Sequence, residues 1–293
     1  MSQVTINGID IAIFGVILTK DSYSNLFAYP TRKEPLSNKW QDEDGADVDL
    51  SDPVFEARTF KLSFYSYPNA NLYGFFELLM SEGYKTFQFV SIDLQMKLRY
   101  KSEPSRNLYT GGDTFELQFI DDFPMSFFQS FETFEETGVN RMLPKQPNFK
   151  IDGLEFSEYG IGIIKGSNDY KNPALKDQLT LIYETVSGQT YNVGTVKKES
   201  GNIVIKCWIL ASNIQSLKNK YVLFFNKIAS ESERILDTDN HEYTCYYKSA
   251  SDFKLYRDSE TIALTFSLNF VEVSRKKKEG IEFWAIEYDF VVS

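Results

Sequence analysis

The densest group of side chains that could do chemistry is an acidic stretch, WQDEDGADVDLSD, at residues 40–52. Its carboxylates are Asp42, Glu43, Asp44, Asp47, Asp49 and Asp52. Acidic residues at alternate positions beside a glycine are typical of a calcium-binding loop. Here Gly45 follows Asp44 directly instead of three positions later, and the bidentate glutamate that ends such a loop is missing. Metal binding is therefore the weaker interpretation, and no metal is predicted.

A tryptophan on a polar loop is a good interface anchor, and Trp40 begins this stretch. An acidic loop that carries a tryptophan and precedes a strand has no evident role inside its own domain. We therefore expect residues 36–52 to be a subunit contact or, as the alternative, a solvated surface loop. The interface side chains in the first case are Trp40, Asp42, Asp44, Asp47 and Asp49.

Catalytic machinery is not evident elsewhere. The chain has one histidine, His241, so histidine-based metal sites and serine–histidine or cysteine–histidine catalysis are nearly excluded within one chain. It has no phosphate-binding loop, no dinucleotide fingerprint and no CxxC motif. Acidic residues are everywhere, but nothing singles out a catalytic pair. We predict a protein that is not an enzyme and that needs no cofactor. Cys207 and Cys245 are read as two buried, reduced thiols, with a single bridge between them as the alternative.

The net charge is −10, which argues against a protein that grips nucleic acid, because phosphate binding needs clustered lysine and arginine. The only basic run, at residues 275–278, is interpreted as a solvated turn before a last strand. Aromatic residues make up 16% of the chain, which favours strands and large interfaces. The N-terminus has no secretory signal, and the apolar stretch at residues 11–18 is too short to span a membrane. We interpret residues 11–18 as a buried strand. We expect the protein to fold in a cytoplasm.

One segment of the sequence occurs twice. YKSEPSRNLYTGGDTFELQFIDDF at residues 100–123 aligns without a gap with YKSASDFKLYRDSETIALTFSLNF at residues 247–270, and nine positions are identical. Chance gives about one or two identities over such a length. The correspondence extends to INGIDIAIFGV at residues 6–16 and IDGLEFSEYGI at residues 151–161, which puts Gly8 and Gly153 in turns and Gly15 and Gly160 in strands. We infer that a whole domain is duplicated.

Each copy predicts the same elements. Period-2 apolar spacing predicts half-buried strands, and a four-residue apolar stripe at helical spacing predicts one helix per copy. The stripes are Leu72, Phe75, Phe76 and Leu79 in the first copy and Tyr221, Phe224, Phe225 and Ile228 in the second. The predicted fold is mainly β (α+β), with a first domain at residues 1–123 and a second at residues 151–273. Residues 124–150 are predicted to be a linker with a short helix, and residues 274–293 a C-terminal strand extension.

The order strand, glycine, strand, acidic loop, strand, helix, strands, with the close FELQFIDDFP, is similar to the tube-type domain of tailed bacteriophages. The first copy, residues 6–124, resembles the N-terminal domain of siphophage distal tail proteins, whose closing strand ends in an aromatic–acidic–proline motif, here Phe119 to Pro124. The second copy, residues 151–273, is less similar. The usual second domain in that family is a galectin-like sandwich, whereas here the second domain repeats the first, as in trimeric baseplate hubs.

The resemblance implies two tandem split β-barrels, each with a flanking helix, in a ring around the DNA channel of a phage tail tip. It implies as partners other copies of the chain, the tail tube protein, and baseplate, hub or receptor-binding proteins, with a place in the virion tail after assembly in the host cytoplasm. An acidic channel lets DNA pass without specific binding. The ring has three chains if both copies lie in it and six if only the first does; six is slightly favoured because the first copy has the closer resemblance.

Two functions from other classes stay open. A sliding-clamp-like ring would also be acidic and internally repeated, but it needs more helices with basic residues that face DNA, and the helix at Leu72 has none. A two-domain carbohydrate-binding module would use exposed aromatic side chains, for which Trp40 and Trp284 are candidates.

Overall fold

The computed structural model describes residues 4–19, 22–126, 149–164, 169–170, 173–177, 180–182, 184–185, 187–188, 190–191, 196–238, 241–257 and 261–277. We call residues 4–126 the first half and residues 149–277 the second half. The predicted linker helix and most of the predicted C-terminal strand extension lie outside the described residues. The mainly β fold predicted from the sequence is confirmed.

The first half contains nine strands and two α-helices within these residues. The strands are β1 (Val4–Ile6), β2 (Ile9–Asp10), β3 (Val16–Leu18), β4 (Ser37–Asn38), β5 (Asp47–Val48), β6 (Arg58–Ser66), β7 (Lys85–Phe89), β8 (Leu94–Tyr109) and β9 (Gly112–Asp121). The helices are α1 (Ser22–Leu26) and α2 (Leu72–Met80).

The second half contains ten described strands and one described α-helix. The strands are β10 (Lys150–Ile151), β11 (Leu154–Glu155), β12 (Ile161–Ile163), β13 (Asp169–Tyr170), β14 (Thr180–Leu181), β15 (Thr190–Tyr191), β16 (Asn202–Ala211), β17 (Arg234–Asp237), β18 (His241–Arg257) and β19 (Ile262–Lys277). The helix is α3 (Ile214–Ile228).

The two halves have sheets of the same antiparallel strand order. The first sheet runs β2-β1-β7-β8-β9-β6-β3, and the second runs β11-β10-β17-β18-β19-β16-β12, with β13 added on β16. Strand for strand, the two orders correspond. Side chains alternate between buried and less buried positions along β6 and β16, as period-2 apolar spacing predicts.

Both predicted helices are present, and each presents its stripe to the core. Phe75 and Leu79 of α2 are 0% and 2% exposed, and all four stripe residues of α3 are at most 1% exposed. Each helix starts with an asparagine whose side-chain oxygen accepts a backbone N–H in the first turn. The stripe of α3 is buried more completely because it contacts the first half as well as its own sheet.

Three local expectations were wrong. Residues 11–18 do not form one strand, because Asp10 caps a 3-10 helix over Ile11–Phe14, which Gly15 ends at a φ of 73°. Gly160 ends the equivalent 3-10 helix, Phe156–Tyr159, in the same way at a φ of 74°. Both glycines therefore precede a strand instead of lying in one. The basic run is not a turn either, since residues 275–277 belong to β19.

The alignment of the two repeated segments requires a gap. Tyr100 pairs with Phe119, and Tyr247 pairs with Phe270, so beyond the turn the equivalent residues lie 151 positions apart instead of 147. The second hairpin is four residues longer than the first. In this register TFELQFID at residues 114–121 is equivalent to TFSLNFVE at residues 265–272.

Candidate assembly surfaces

A long excursion of the chain leaves the first half between β3 and β6 and lies on the second half. We call residues 27–57 the first arm. Its base is a β-bridge between Arg32 and Phe55, and its tip is the β4–β5 hairpin. The described residues between 170 and 200, which we call the second arm, have the same design in the second half, with a bridge between Leu175 and Lys198 and the β14–β15 hairpin. Each paired residue in the bridge and hairpin of the first arm lies 143 positions before its equivalent in the second arm.

Aromatic packing holds the first arm on the second half. Tyr29 is 3% exposed and stacks on Phe225 of α3, with ring centroids 4.3 Å apart and an interplanar angle of 15°. The ring of Tyr247 meets Tyr29 edge-on at 5.4 Å. Phe27 packs edge-on against Tyr221 at 6.0 Å. Pairs in these geometries stabilise by about 0.5–1.5 kcal/mol each beyond the burial of their area.

Hydrogen bonds fix the register of this contact. The Tyr221 hydroxyl donates to the carbonyl of Phe27, and the Tyr247 hydroxyl donates to the carbonyl of Pro30 at 3.2 Å. The backbone N–H of Arg32 donates to the carbonyl of Lys248 at 2.8 Å. The first arm therefore contacts the second half through hydrogen bonds to its backbone as well as through packing of its side chains.

The same burial shifts the ionisation of the groups in this contact. Desolvation raises the pKa of Tyr29, Tyr221 and Tyr247, so these phenols stay neutral at physiological pH. Tyr221 and Tyr247 can therefore donate the two hydrogen bonds described above. Burial lowers the pKa of Arg32, whose guanidinium lies 5.8 Å from the centroid of the Tyr246 ring.

The acidic loop at residues 36–52 forms the outer part of the first arm and is bound through backbone atoms and the Asp44 carboxylate. The Lys176 ammonium donates to the carbonyl of Trp40 at 2.6 Å, and the N–H of Lys198 donates to Asp44 Oδ1 at 2.8 Å. Gly45 N–H donates to the carbonyl of Lys198 at 2.8 Å. Gly45 has a φ of 72°, and a Cβ there would lie 2.7 Å from the carbonyl oxygen of Val273. The loop thus has a role within the chain that its sequence did not reveal.

The other predicted interface side chains point to solvent. Trp40 is 51% exposed, and Asp42, Asp47 and Asp49 are exposed. Two hydrogen bonds from Ser51 lower the pKa of Asp49. Of the five predicted residues, Asp44 alone has its side chain bonded to the second half. The structure brings the five onto one loop, and four of them keep side chains that a further partner could contact.

The remaining chemistry-bearing residues do not converge on a site. No three His, Cys, Asp or Glu side chains among the described residues are placed to hold a metal ion. His241 begins β18 and lies beside Tyr243, with ring centroids 5.6 Å apart. Both cysteines are buried free thiols, and burial raises the pKa of each. No helix in the described part of the chain is long and apolar enough to span a membrane.

Sequence reasoning missed the two arms and the surface that receives the first one. The signal was present at a spacing of 143, where Phe27, Pro30 and Gly45 correspond to Tyr170, Pro173 and Gly188. That spacing differs from the 145, 147 and 149 of the other matches, so only the paired bridges and hairpins of the structure make it visible.

Comparisons with known proteins give a likeness to a solved structure. No family model matches the chain, and no curated protein matches it. Among solved structures, the chain is similar to the crystal structure of the SPP1 Dit protein, described there as a paradigm of the hub adsorption apparatus in phages that infect Gram-positive bacteria. The TM-score is 0.33 and the identity 10%, over 94% of this chain and 98% of that chain. A TM-score of this size does not establish a common fold.

Proposed function

We propose that this protein is a structural component of a bacteriophage or prophage tail tip. It forms a closed ring around the DNA channel and joins the tail tube to the baseplate or receptor-binding apparatus. Its partners are other copies of itself, in a ring of three or six chains, together with the tail tube protein and hub or receptor-binding proteins. In this role the two halves are tandem copies of one tube-type split β-barrel.

The observation that carries the proposal is the contact between the halves. The two sheets have the same strand order, yet they touch through different surfaces, the arm of the first against α3 and β18 of the second. Contacts of this kind between equivalent units are heterologous. Repeated, a heterologous contact generates a closed ring if its rotation closes and an open helix if it does not. A ring of like units is what a tail conduit requires.

Charge and surface fit the same role. A net charge of −10 suits a conduit, since negative walls do not hold DNA that must pass. The exposed side chains of Trp40, Asp42, Asp47 and Asp49 lie on the first arm beyond the contacts made by its backbone, where they are available to a neighbouring subunit or ring. The protein acts by assembly and catalyses no reaction.

Native mass spectrometry of the purified chain, and of dissociated tail particles, tests this function. The expected result is a closed species of three or six chains, seen as an annulus by electron microscopy. Trp40→Ala is expected to weaken assembly and to leave the fold of the isolated chain intact. A strict monomer at high concentration, absent from tail particles, would overturn the proposal, and specific binding of the monomer on a glycan array would favour a carbohydrate-binding module.

A further inference from the structure

An open cavity of about 370 Å³ lies in the first half at the end of α2. We call it the first pocket. It is lined by Leu79, Met80, Ser81, Gly83, Tyr84, Arg99 and Tyr100. All of these belong to the first half, and no residue of the arms lines it.

The equivalent place in the second half is filled. Gly83 and Ser232 both have a positive φ, 81° and 70°, two residues before β7 and β17. Tyr100 and Tyr247 occupy the same pairing position in β8 and β18. Around Ser232 and Tyr247 the space is taken by the first arm. The arm's Tyr29 packs on Tyr247, and the carbonyl of Leu50 accepts from the N–H of Ser232 at 3.4 Å.

The second arm has the outward edge that the first arm uses, and this edge is open. Arg32, whose N–H bonds the second half, is 3% exposed, whereas its equivalent Leu175 is 57% exposed. Gly45 is packed against Val273. At its equivalent, Gly188, which has a φ of 95°, an added Cβ would have no described atom within 4 Å. At the equivalent position, Gly45, the same left-handed conformation, which glycine adopts without strain, brings the backbone into contact with the second half.

The first half offers the matching receiving edge. In the second half the N–H and carbonyl of Lys198 bind Asp44 and Gly45 of the first arm's tip. At the equivalent residue, Phe55, no described residue makes a hydrogen bond to the N–H or the carbonyl. Arm and receiving surface therefore each occur twice in one chain, and one of each is used.

From this we infer that the second arm of one chain docks in the first pocket of a second copy of the chain. The docking repeats the contact already present between the two halves. Leu175 N–H then donates to the carbonyl of Lys101, the Tyr100 hydroxyl donates to the carbonyl of Pro173, and Gly188 N–H donates to the carbonyl of Phe55. The inference rests on the proposed ring, and it commits that ring to both halves of each chain, hence to three chains for six like units.

A pair of crosslinks tests the docking with a matched control. In the control, Asp44→Cys with Ser200→Cys joins residues that the structure places together, since a Cβ on neighbouring Gly45 would lie 3.8 Å from Ser200 Oγ. A short bis-maleimide is expected to link that pair within one chain and to leave the mass of a single chain. The test pair is the equivalent one, Ser187→Cys with Ala57→Cys, both on exposed residues. It is expected to link different chains into covalent oligomers that end at three.

A second variant separates the docking from the ring itself. Leu175→Asp changes an exposed side chain, so the unfolding of the isolated chain is expected to be unchanged, while assembly weakens by at least a hundredfold in concentration. If native mass spectrometry shows a ring but the test pair gives no interchain product, the docking is wrong and the proposed function stands. If no oligomer forms at all while the control pair reacts, both are wrong.

Discussion

Replacing Tyr29 with alanine should lower the free energy of unfolding more than replacing any exposed aromatic residue in the described part of the chain. The ring is 3% exposed and is enclosed by Phe225, Tyr247 and Phe55, at centroid distances of 4.3, 5.4 and 5.9 Å. Truncation of a buried aromatic side chain costs about 3–5 kcal/mol, because transfer energy is lost and a cavity remains. We therefore expect the free energy of unfolding to fall by about 3–5 kcal/mol, which is more than a hundredfold in the unfolding equilibrium.

Guanidinium unfolding followed by far-UV circular dichroism measures this change, with linear extrapolation to water. Tyr73→Ala is the matched control. That side chain is 76% exposed on α2, and its hydroxyl bonds Glu77 at 3.1 Å. Surface changes of this kind stay within about 0.5 kcal/mol. Tyr29→Phe keeps the ring and should lose about 1 kcal/mol or less.

A loss below about 1 kcal/mol for Tyr29→Ala would refute the reasoning, since the site would then lack the packing that burial and ring geometry indicate. An equal loss for Tyr29→Ala and Tyr29→Phe would show that the hydroxyl, and not the ring, stabilises the contact between the halves.

Three further outcomes follow from buried groups. The Arg58–Asp121 pair has side chains that are 5% exposed on both partners, so Asp121→Asn should cost about 3–5 kcal/mol in denaturant titrations. Asp122→Asn, in a half-exposed pair, should cost less than about 1 kcal/mol, and equal losses would contradict the burial argument. Partial burial opposes ionisation of Asp152, but a hydrogen bond from the Ile235 N–H and the nearby cations outweigh it and lower its pKa. Its stabilising contribution should therefore be complete above about pH 5 and lost as pH falls through the lowered pKa, so Asp152→Asn should lose less stability than the unchanged chain over that range. The two thiols should react with iodoacetamide only after unfolding; rapid labelling of the native chain would contradict their burial.

Apolar periodicity was enough to predict the mainly β class and both described core helices. The helical stripes that begin at Leu72 and Tyr221 correspond to α2 and α3, because four apolar residues at helical spacing have one way to face a core. Alternation along residues 60–64 and 203–209 likewise predicted β6 and β16. These features are local, so the sequence alone reveals them.

Register and contact were less accessible. The ungapped match of residues 100–123 failed beyond the turn because strands of alternating apolar residues resemble themselves at every even shift, and the true insertion is four residues. The intrachain role of the acidic loop could not be predicted either. Its partners, among them Lys176 and Lys198, are more than 130 positions away, and backbone hydrogen bonds leave no mark on composition.

We call the equivalent, filled place around Ser232 and Tyr247 the second pocket. It differs from the first pocket in the way that a filled surface should differ from an open one. In the second half, Tyr246 and Phe253 flank the arm and the helix α3. The equivalent residues of the first half are Arg99 and Arg106, and the guanidinium of Arg106 lies 5.3 Å from the centroid of the Phe76 ring.

Covalent fusion keeps the second pocket filled in every chain, because the arm that fills it belongs to the same molecule and binds at high effective concentration. That pocket can therefore carry aromatic side chains, Tyr246 and Phe253, at the places where the first half has arginines. The first pocket is exposed to water until another chain binds, and a large exposed apolar patch is an aggregation liability. A chain with an open first pocket therefore needs a polar group there to stay soluble. The Arg99 guanidinium on the wall of the first pocket keeps this surface hydrated and still leaves it apolar enough to bind. If this reasoning holds, Arg99→Tyr, which places the equivalent of Tyr246 on the wall of the first pocket, makes that pocket resemble the second. It should therefore tighten assembly and lower the solubility of the free chain, as sedimentation at rising concentration would show. Unchanged assembly would mean that the first pocket has no partner.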